Sequence, residues 1–326
     1  MAEESKFKAF LGRHRALLQS LAVLAFIFVG AVVISPRGEL RGDNLFLNPE
    51  NLTNMLRAIT PVAIIALGMT LVILTAGIDL SVGATLALSA TVTALGFAQW
   101  QYPLPVVITL ALLAGLAVGI MNGALIAALR VQPFVITLAA MIGVRGLTRM
   151  LSDNENIGLR TVGENAAYFV DSFSQKPVMI GVFLGLAVIF GALLSRTVFG
   201  RYTRALGDNP QAALYAGLPI KTVTIAVYAL TGLLAGVAGV LNAARTSTGN
   251  PNDGIAMELD VIAVVVIGGT SLAGGRGTII GTVIGALIVG ILTNILGLRN
   301  VDANAQLMLK AVIIVLAVVL QQGRKP

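Results

Sequence analysis

The sequence predicts an all-α fold, a polytopic transmembrane bundle of about ten helices, and three observations carry that prediction. Of the 326 residues, 56% are hydrophobic and 11% charged, whereas roughly a quarter of an ordinary soluble domain is charged. The apolar residues gather into runs near the length of about 20 residues that a helix needs to cross a bilayer. The 36 glycines suit helices whose backbones pack closely in lipid. A net charge of +7 does not point to nucleic acid, because the basic residues stand singly at the ends of apolar runs and form no stripe.

The first run, 16–35, follows a polar tail, 1–15, that carries Lys6, Lys8, Arg13, His14 and Arg15. It ends in Ser35-Pro36-Arg37 without a small-residue cleavage site and reads as a retained first span. Further runs lie at 60–78, 80–98, 105–129, 133–150, 177–195, 222–244, 260–273, 277–297 and 306–321, which makes one transmembrane domain, 16–321, before a short tail, 322–326. Glycine breaks near Gly77 and at Gly268-Gly269 put the count between eight and ten. With the N-terminus inside, Lys6, Lys8, Arg13, Arg15, Arg130, Arg196, Arg201, Arg204, Lys221, Arg276, Arg324 and Lys325 fall on the cytoplasmic face. The outer segments then hold Arg37, Arg41, Arg57, Arg160, Lys176, Arg245 and Arg299 against acids that include Asp153, Glu155, Glu164, Asp171, Asp253 and Glu258. That asymmetry supports an even number of spans with both termini cytoplasmic, and it leaves the polar segment 196–221 in the cytoplasm.

Residue types narrow the chemistry. With no cysteine there is no disulfide, thiolate nucleophile or iron–sulfur cluster, and the single histidine lies in the first tail. No metal and no catalytic residue is expected on this chain. GGRGTIIG (274–281) misses the dinucleotide fingerprint by one place and follows no strand, and the sequence contains no GK followed by Ser or Thr. A nucleotide that powers this protein must therefore be bound by another subunit.

Polar residues inside the apolar runs are the pathway candidates: Asp79, Ser81, Thr85, Ser89, Asn122, Asn242 and Asn294. Asp79 sits at the junction of two runs between Gly77 and Gly83, where a broken helix is tolerated only inside protein or beside a cavity. It reads equally as a cap on the helix that follows. Ser81, Thr85, Ser89 and Thr93 recur every fourth residue as a hydroxyl stripe, either a lining for a sugar path or ordinary interhelical contact. The three amides offer both donor and acceptor to a neutral polyhydroxylated ligand or to a neighbouring helix. Gly115, Gly119 and Gly123, like Gly277, Gly281 and Gly285, recur every four residues and read as packing seams. Arg145 and Arg149, one turn apart before Asp153 and Glu155, read as a local ion-pair or snorkelling arrangement.

Four stretches carry a resemblance: MTLVILTAGIDLSVG (69–83), VQPFVITLAAM (131–141), FGRYTRALGDNPQAALYAGLPI (199–220) and ELDVIAVVVIGGTSLAGGRGTIIGTVIGALIVGILTN (258–294). From about residue 50 to the end, the chain resembles the membrane permease of bacterial ABC importers for monosaccharides, of the ribose type. The resemblance implies a type II importer-like fold in the cytoplasmic (inner) membrane and a homodimer of permeases. It also implies two cytoplasmic ABC ATPase domains that bind ATP and Mg, and an extracytoplasmic sugar-binding protein that docks on outer acids such as Glu155, Asp253 and Glu258. The segment matching 200–221 is the ATPase-coupling element of that family, which singles out Gly200, Arg201, Arg204, Ala205, Gly207, Asp208, Asn209, Ala212, Ala213 and Gly217.

The residues agree with such an element: Asp208-Asn209-Pro210 provides a capping residue and a proline at a helix start, and Gly217 can end the helix. Arg201 and Arg204 suit lipid headgroups or acids on a partner. The chain departs from the family pattern at PRGELRGDNLFLNPE (36–50) and NPNDGIAMELD (250–260), both on the expected outer face. Two other classes compete. An ion-coupled secondary transporter needs membrane carboxylates, for which Asp79 is the lone candidate, and a lipid-linked glycosyl enzyme needs clustered acids, histidines or a metal, of which the sequence shows none.

Overall fold

The computed structural model describes residues 2–38, 42–302, 304–309, 311 and 312, with side chains from residue 17 onward. Helix α1 (Ala2–Ile34) is followed by a turn in which Asn44 Nδ2 donates to the Val32 carbonyl at 2.7 Å. Helix α2 (Pro49–Leu74) opens with Asn48 Oδ1 accepting from the Glu50 amide and with proline in the first helical position. After a non-helical segment come α3 (Val82–Ala98), α4 (Leu104–Leu129) and α5 (Pro133–Leu151). Two-residue strand β1 (Ile157–Gly158) and helix α6 (Glu164–Phe173) lead to α7 (Lys176–Arg196). A polar pair follows, α8 (Val198–Asp208) and α9 (Pro210–Tyr215). Helix α10 (Ile220–Thr246) then runs into strand β2 (Thr248–Gly249), which pairs antiparallel with β1 so that Ile157 faces Gly249. The chain continues through α11 (Met257–Ile267) and α12 (Ile279–Leu298).

Among the described residues, seven helices are long and apolar enough to cross a membrane: α2, α4, α5, α7, α10, α12 and Leu17–Ile34 of α1. The expected count of eight to ten is not reached on that criterion, for three physical reasons. The run 80–98 is a helix of 17 residues, the run 260–273 stays helical only as far as Ile267, and most of the run 306–321, with the tail 322–326, lies outside the described residues. The run 60–78 also has different bounds, beginning eleven residues earlier at Pro49 because Asn48 caps it there, and ending at Leu74.

Helix α10 is the axis of the bundle, packed against α2, α3 and α4. Its contact with α4 is made of backbone: Gly115, Gly119 and Gly123 of α4 lie directly on α10 between Ile225 and Gly236, with Gly232 of α10 returning the contact. Gly277, Gly281 and Gly285 likewise receive Thr270, Gly268 and Val264. Both glycine series are therefore packing seams, in which any side chain would push the helix axes apart. Residues Thr60 to Leu74 of α2 and Val82 to Phe97 of α3 are buried throughout, whereas α1, α5 and α7 bury one face and turn Phe26, Met150 and Val188 outward. Helices apolar on their outer face as well belong in lipid. Hydroxyls along the spans, Thr60, Thr70, Thr148, Thr231 and Ser195 among them, donate to the carbonyl four residues back. That bond removes the cost of carrying a hydroxyl into an apolar region.

Candidate functional site

The bundle has two polar ends. At one, α8 and α9 form a corner. Thr197 caps α8 by accepting from the Gly200 amide, Asn209 Oδ1 caps α9 by accepting from the Ala212 amide at 2.9 Å, and Gly217, at φ +74°, closes α9. The segment is thus two short helices, and of Asp208 and Asn209 it is Asn209 that serves as the cap. Gly200, Thr203, Leu206 and Gly207 form the buried face of α8, Ala213 that of α9, and Arg204 is half-buried. Arg201, Ala205, Asp208, Asn209, Ala212 and Gly217 are exposed.

Gly207 touches the main chain at Leu74, the last residue of α2, while the Gly275 amide donates to the Leu74 carbonyl at 3.0 Å and Gly275 lies against Asp208. A side chain at Gly207 would meet backbone on both sides. The corner therefore holds the end of α2 and the 271–277 loop as one unit. Two exposed apolar residues went unnoticed in the sequence: Leu214, 61% exposed, and Tyr215, 86% exposed, on the outer side of α9. The signal was present in PQAALY, where large apolar residues close a helix too short to bury both.

Beyond Leu74 the chain leaves helical geometry until Val82; within this segment Gly77, Asp79 and Ser81 are buried, while Ala76 is exposed. Asp79, 1% exposed, accepts from the Ser81 amide at 2.9 Å and from the Ser81 hydroxyl at 2.7 Å. Asn122 of α4 donates to the same hydroxyl at 2.9 Å, and Thr137 of α5 donates to the Ile78 carbonyl at 3.1 Å. Asp79 thus closes a turn two residues ahead of α3 and does not cap a helix beginning at Leu80. The rest of the stripe is occupied too: Thr85 donates to the Ser81 carbonyl, Ser89 to the Ala111 carbonyl of α4, and Thr93 to the Ser89 carbonyl. All of these side chains are at most 1% exposed. Two buried atoms near this knot, Asn122 Oδ1 and the Tyr228 hydroxyl of α10, have no hydrogen-bond partner.

The opposite end is ionic. The loop from Ser247 to Ala256 folds back into the bundle, where Gly254 lies against Gly83 at the start of α3, with Glu258 beside it. Arg145 donates to the carbonyls of Pro251 and Asp253 at 2.7 and 2.6 Å, and Arg149 grips Asn252 Oδ1. The expected local pairing with Asp153 and Glu155 is not what forms: α5 turns its arginines toward this loop, while Asp153 and Asn154, both at positive φ, lead the chain away. Asn242 donates to Asp253 Oδ2 at 2.7 Å and accepts from Arg245 at 2.9 Å. Burial pushes the Asp253 carboxyl up, opposed by the guanidinium groups of Arg245 and Arg145 and by the Asn242 amide. Of the three docking candidates, Glu155 is exposed, while Asp253 and Glu258 are half-buried.

Asn294 stands apart from the other pathway candidates. It exchanges two hydrogen bonds with Asn51, at 3.0 and 2.9 Å, which join α12 to the start of α2. Beside this pair a cleft of about 360 Å³ opens between α2, α11 and α12.

These features define a polytopic α-helical membrane protein built around a buried break in its helices. Residues 51–318 match the family described as branched-chain amino acid transport system / permease component, and the chain belongs to that family. It is 39% identical to the ribose import permease protein of Escherichia coli strain K12 over 322 residues, covering 98% of this chain and 96% of that one. It is 39% identical to the ribose import permease protein of Bacillus subtilis, covering 94% of each chain. An L-arabinose ABC transporter permease protein from Azospirillum brasilense is 37% identical over 86% of this chain and 82% of its own. No solved structure matches the chain. The resemblance to monosaccharide permeases of ABC importers is thereby borne out.

Proposed function

We propose that this chain is the transmembrane subunit of an ATP-binding-cassette importer that carries a monosaccharide, ribose or a related pentose or hexose, across the bacterial cytoplasmic membrane. It works as a homodimer with lipid around its outer helices. A separate cytoplasmic ATPase binds ATP and Mg, and an extracytoplasmic binding protein feeds the opposite face. The distribution of basic residues supports a cytoplasmic position for α8, α9 and both termini. Exposed Glu155 and half-buried Asp253 and Glu258 then belong to the binding-protein face.

The observation that carries this reading is the corner of α8 and α9. Its outer side offers Arg201, Leu214 and Tyr215 to a soluble partner, while its inner side is wedged at Gly207 against the end of α2. A push on α9 is thus delivered to Leu74, and from there to the non-helical segment that holds Asp79. Packed helices answer such a push by shifting between discrete arrangements rather than by bending smoothly.

The test is replacement of Leu214 and Tyr215 together by Ser. The variant should reach the membrane in normal amount, yet fail to retain the ATPase on purification and lose ATP-dependent sugar uptake. Normal uptake would remove α9 as the coupling surface, and uptake driven by an ion gradient in ATP-free vesicles would replace the importer by a secondary transporter.

A further inference from the structure

The cleft between α2, α11 and α12 has a composition that the sealed stripe on α3 lacks. Its polar groups are Asn54, Asp260, Thr293 and Asn294, and its floor is apolar, with Ile59 and Val289. All four line the cleft, Asn54 and Thr293 as exposed residues and Asp260 and Asn294 as half-buried ones. Its volume of about 360 Å³ lies at the small end of the roughly 300–1,000 Å³ typical of small-molecule sites. Asn294 is held in place by Asn51, and that pair engages one N–H and one lone pair of each amide, which leaves Asn294 a second N–H and a second lone pair for a ligand. An amide, a hydroxyl and a carboxylate over aliphatic side chains match a sugar ring, which presents hydroxyls at its rim and C–H groups on its faces.

From this we infer that the cleft is where the monosaccharide first engages the permease, with Asp260 and Asn294 accepting from its hydroxyls and Ile59 and Val289 lying under the ring. The inference rests on the sugar-importer reading and adds the place to it. The cleft lies at the end of the bundle away from α8 and α9: Asn54 is near the start of α2, Asp260 near the start of α11 and Asn294 near the end of α12. On the proposed orientation this is the side from which the binding protein delivers. Asp79, Ser81, Thr85, Ser89 and Asn122, by contrast, are buried and bonded to one another or to main chain, which makes that region a frame for the route and not its wall.

The experiment uses the complete complex of permease, ATPase and binding protein in proteoliposomes, with D-ribose, L-arabinose, D-galactose and D-fructose as probes. Thr293→Trp fills the cleft from an exposed position, and Asp260→Asn keeps its shape while removing its charge. Asp260→Asn should lower the maximal uptake rate about tenfold, the loss of a hydrogen bond to a charged group being of that order, and Thr293→Trp should lower it at least as much by filling the space, while ATP hydrolysis stimulated by the loaded binding protein continues. Because the chain has no cysteine, Thr293→Cys adds a single labelling site, and the transported sugar should slow its reaction with a maleimide. Normal uptake by both Thr293→Trp and Asp260→Asn, or labelling of Thr293→Cys that no transported sugar slows, would overturn the cleft and leave the importer standing. If the wild-type complex moves none of the four sugars, the importer reading fails and the cleft assignment with it.

Discussion

The knot around Asp79 and the cleft beside Asn294 are made of the same materials, a carboxylate, hydroxyls and amides on membrane helices, yet they are built for opposite purposes. In the knot nearly every donor has found an acceptor within the chain: Ser81 serves Asp79 and Asn122 at once, and Thr85, Ser89 and Thr93 return to main-chain carbonyls. In the cleft Asn294 is held by one neighbour, Asn51, and lines the open space. A polar group in a membrane protein is thus structural when its bonds close inside the chain, and available to a solute when they do not.

Substitutions sharpen this comparison. The largest effect is expected of Ser81→Ala, which takes from Asn122 its acceptor and from Asp79 a donor, both deep inside the bundle. Each buried group left short costs about 1–3 kcal/mol, so thermal unfolding in detergent should show a clear drop in melting temperature and a poorer yield of folded protein. An unchanged melting temperature would mean that the knot is loose enough to exchange its partners for water. A smaller loss, about 1–2 kcal/mol for two part-buried bonds, follows from Asn294→Ala, which frees α12 from Asn51. Its effect on uptake should exceed its effect on melting, and the reverse order would return Asn294 to the structural class. The smallest effect is predicted for Tyr228→Phe. Its hydroxyl is buried and unpartnered, so its removal takes away a desolvated group and loses no bond. Stability should stay level or rise slightly, and a marked fall would show that the hydroxyl has a partner such as an ordered water.

Much of this was legible before any coordinates. The glycine series at 115, 119 and 123 gave its partner-facing side by spacing alone, and the tandem of Asn209, Pro210 and Gly217 marked both ends of α9, because caps and turns obey local rules. The stripe from Ser81 to Thr93 was equally visible, but spacing says only that hydroxyls share a face and cannot say whether that face is covered. Arg145 and Arg149 misled for a related reason. Sequence neighbours suggested Asp153 and Glu155, whereas the loop at 250–256, a hundred residues away in the chain, folds back and takes both arginines. Leu214 and Tyr215 stood within the quoted coupling segment, yet their exposure depends on which side of α9 meets the bundle.

The sequence by itself determined that this protein lies in a membrane, that it is built of helices, which faces pack on glycine, and to which family it belongs. All of these follow from composition, period and motif, which are properties of neighbouring residues and the solvent they demand. Only the tertiary structure decided that the Asp79 stripe is sealed, that Gly207 rests on the end of α2 and that an amphipathic cleft opens beside Asn294. Those facts depend on residues far apart in the chain arriving at one point, and on whether the space between them is filled when they do.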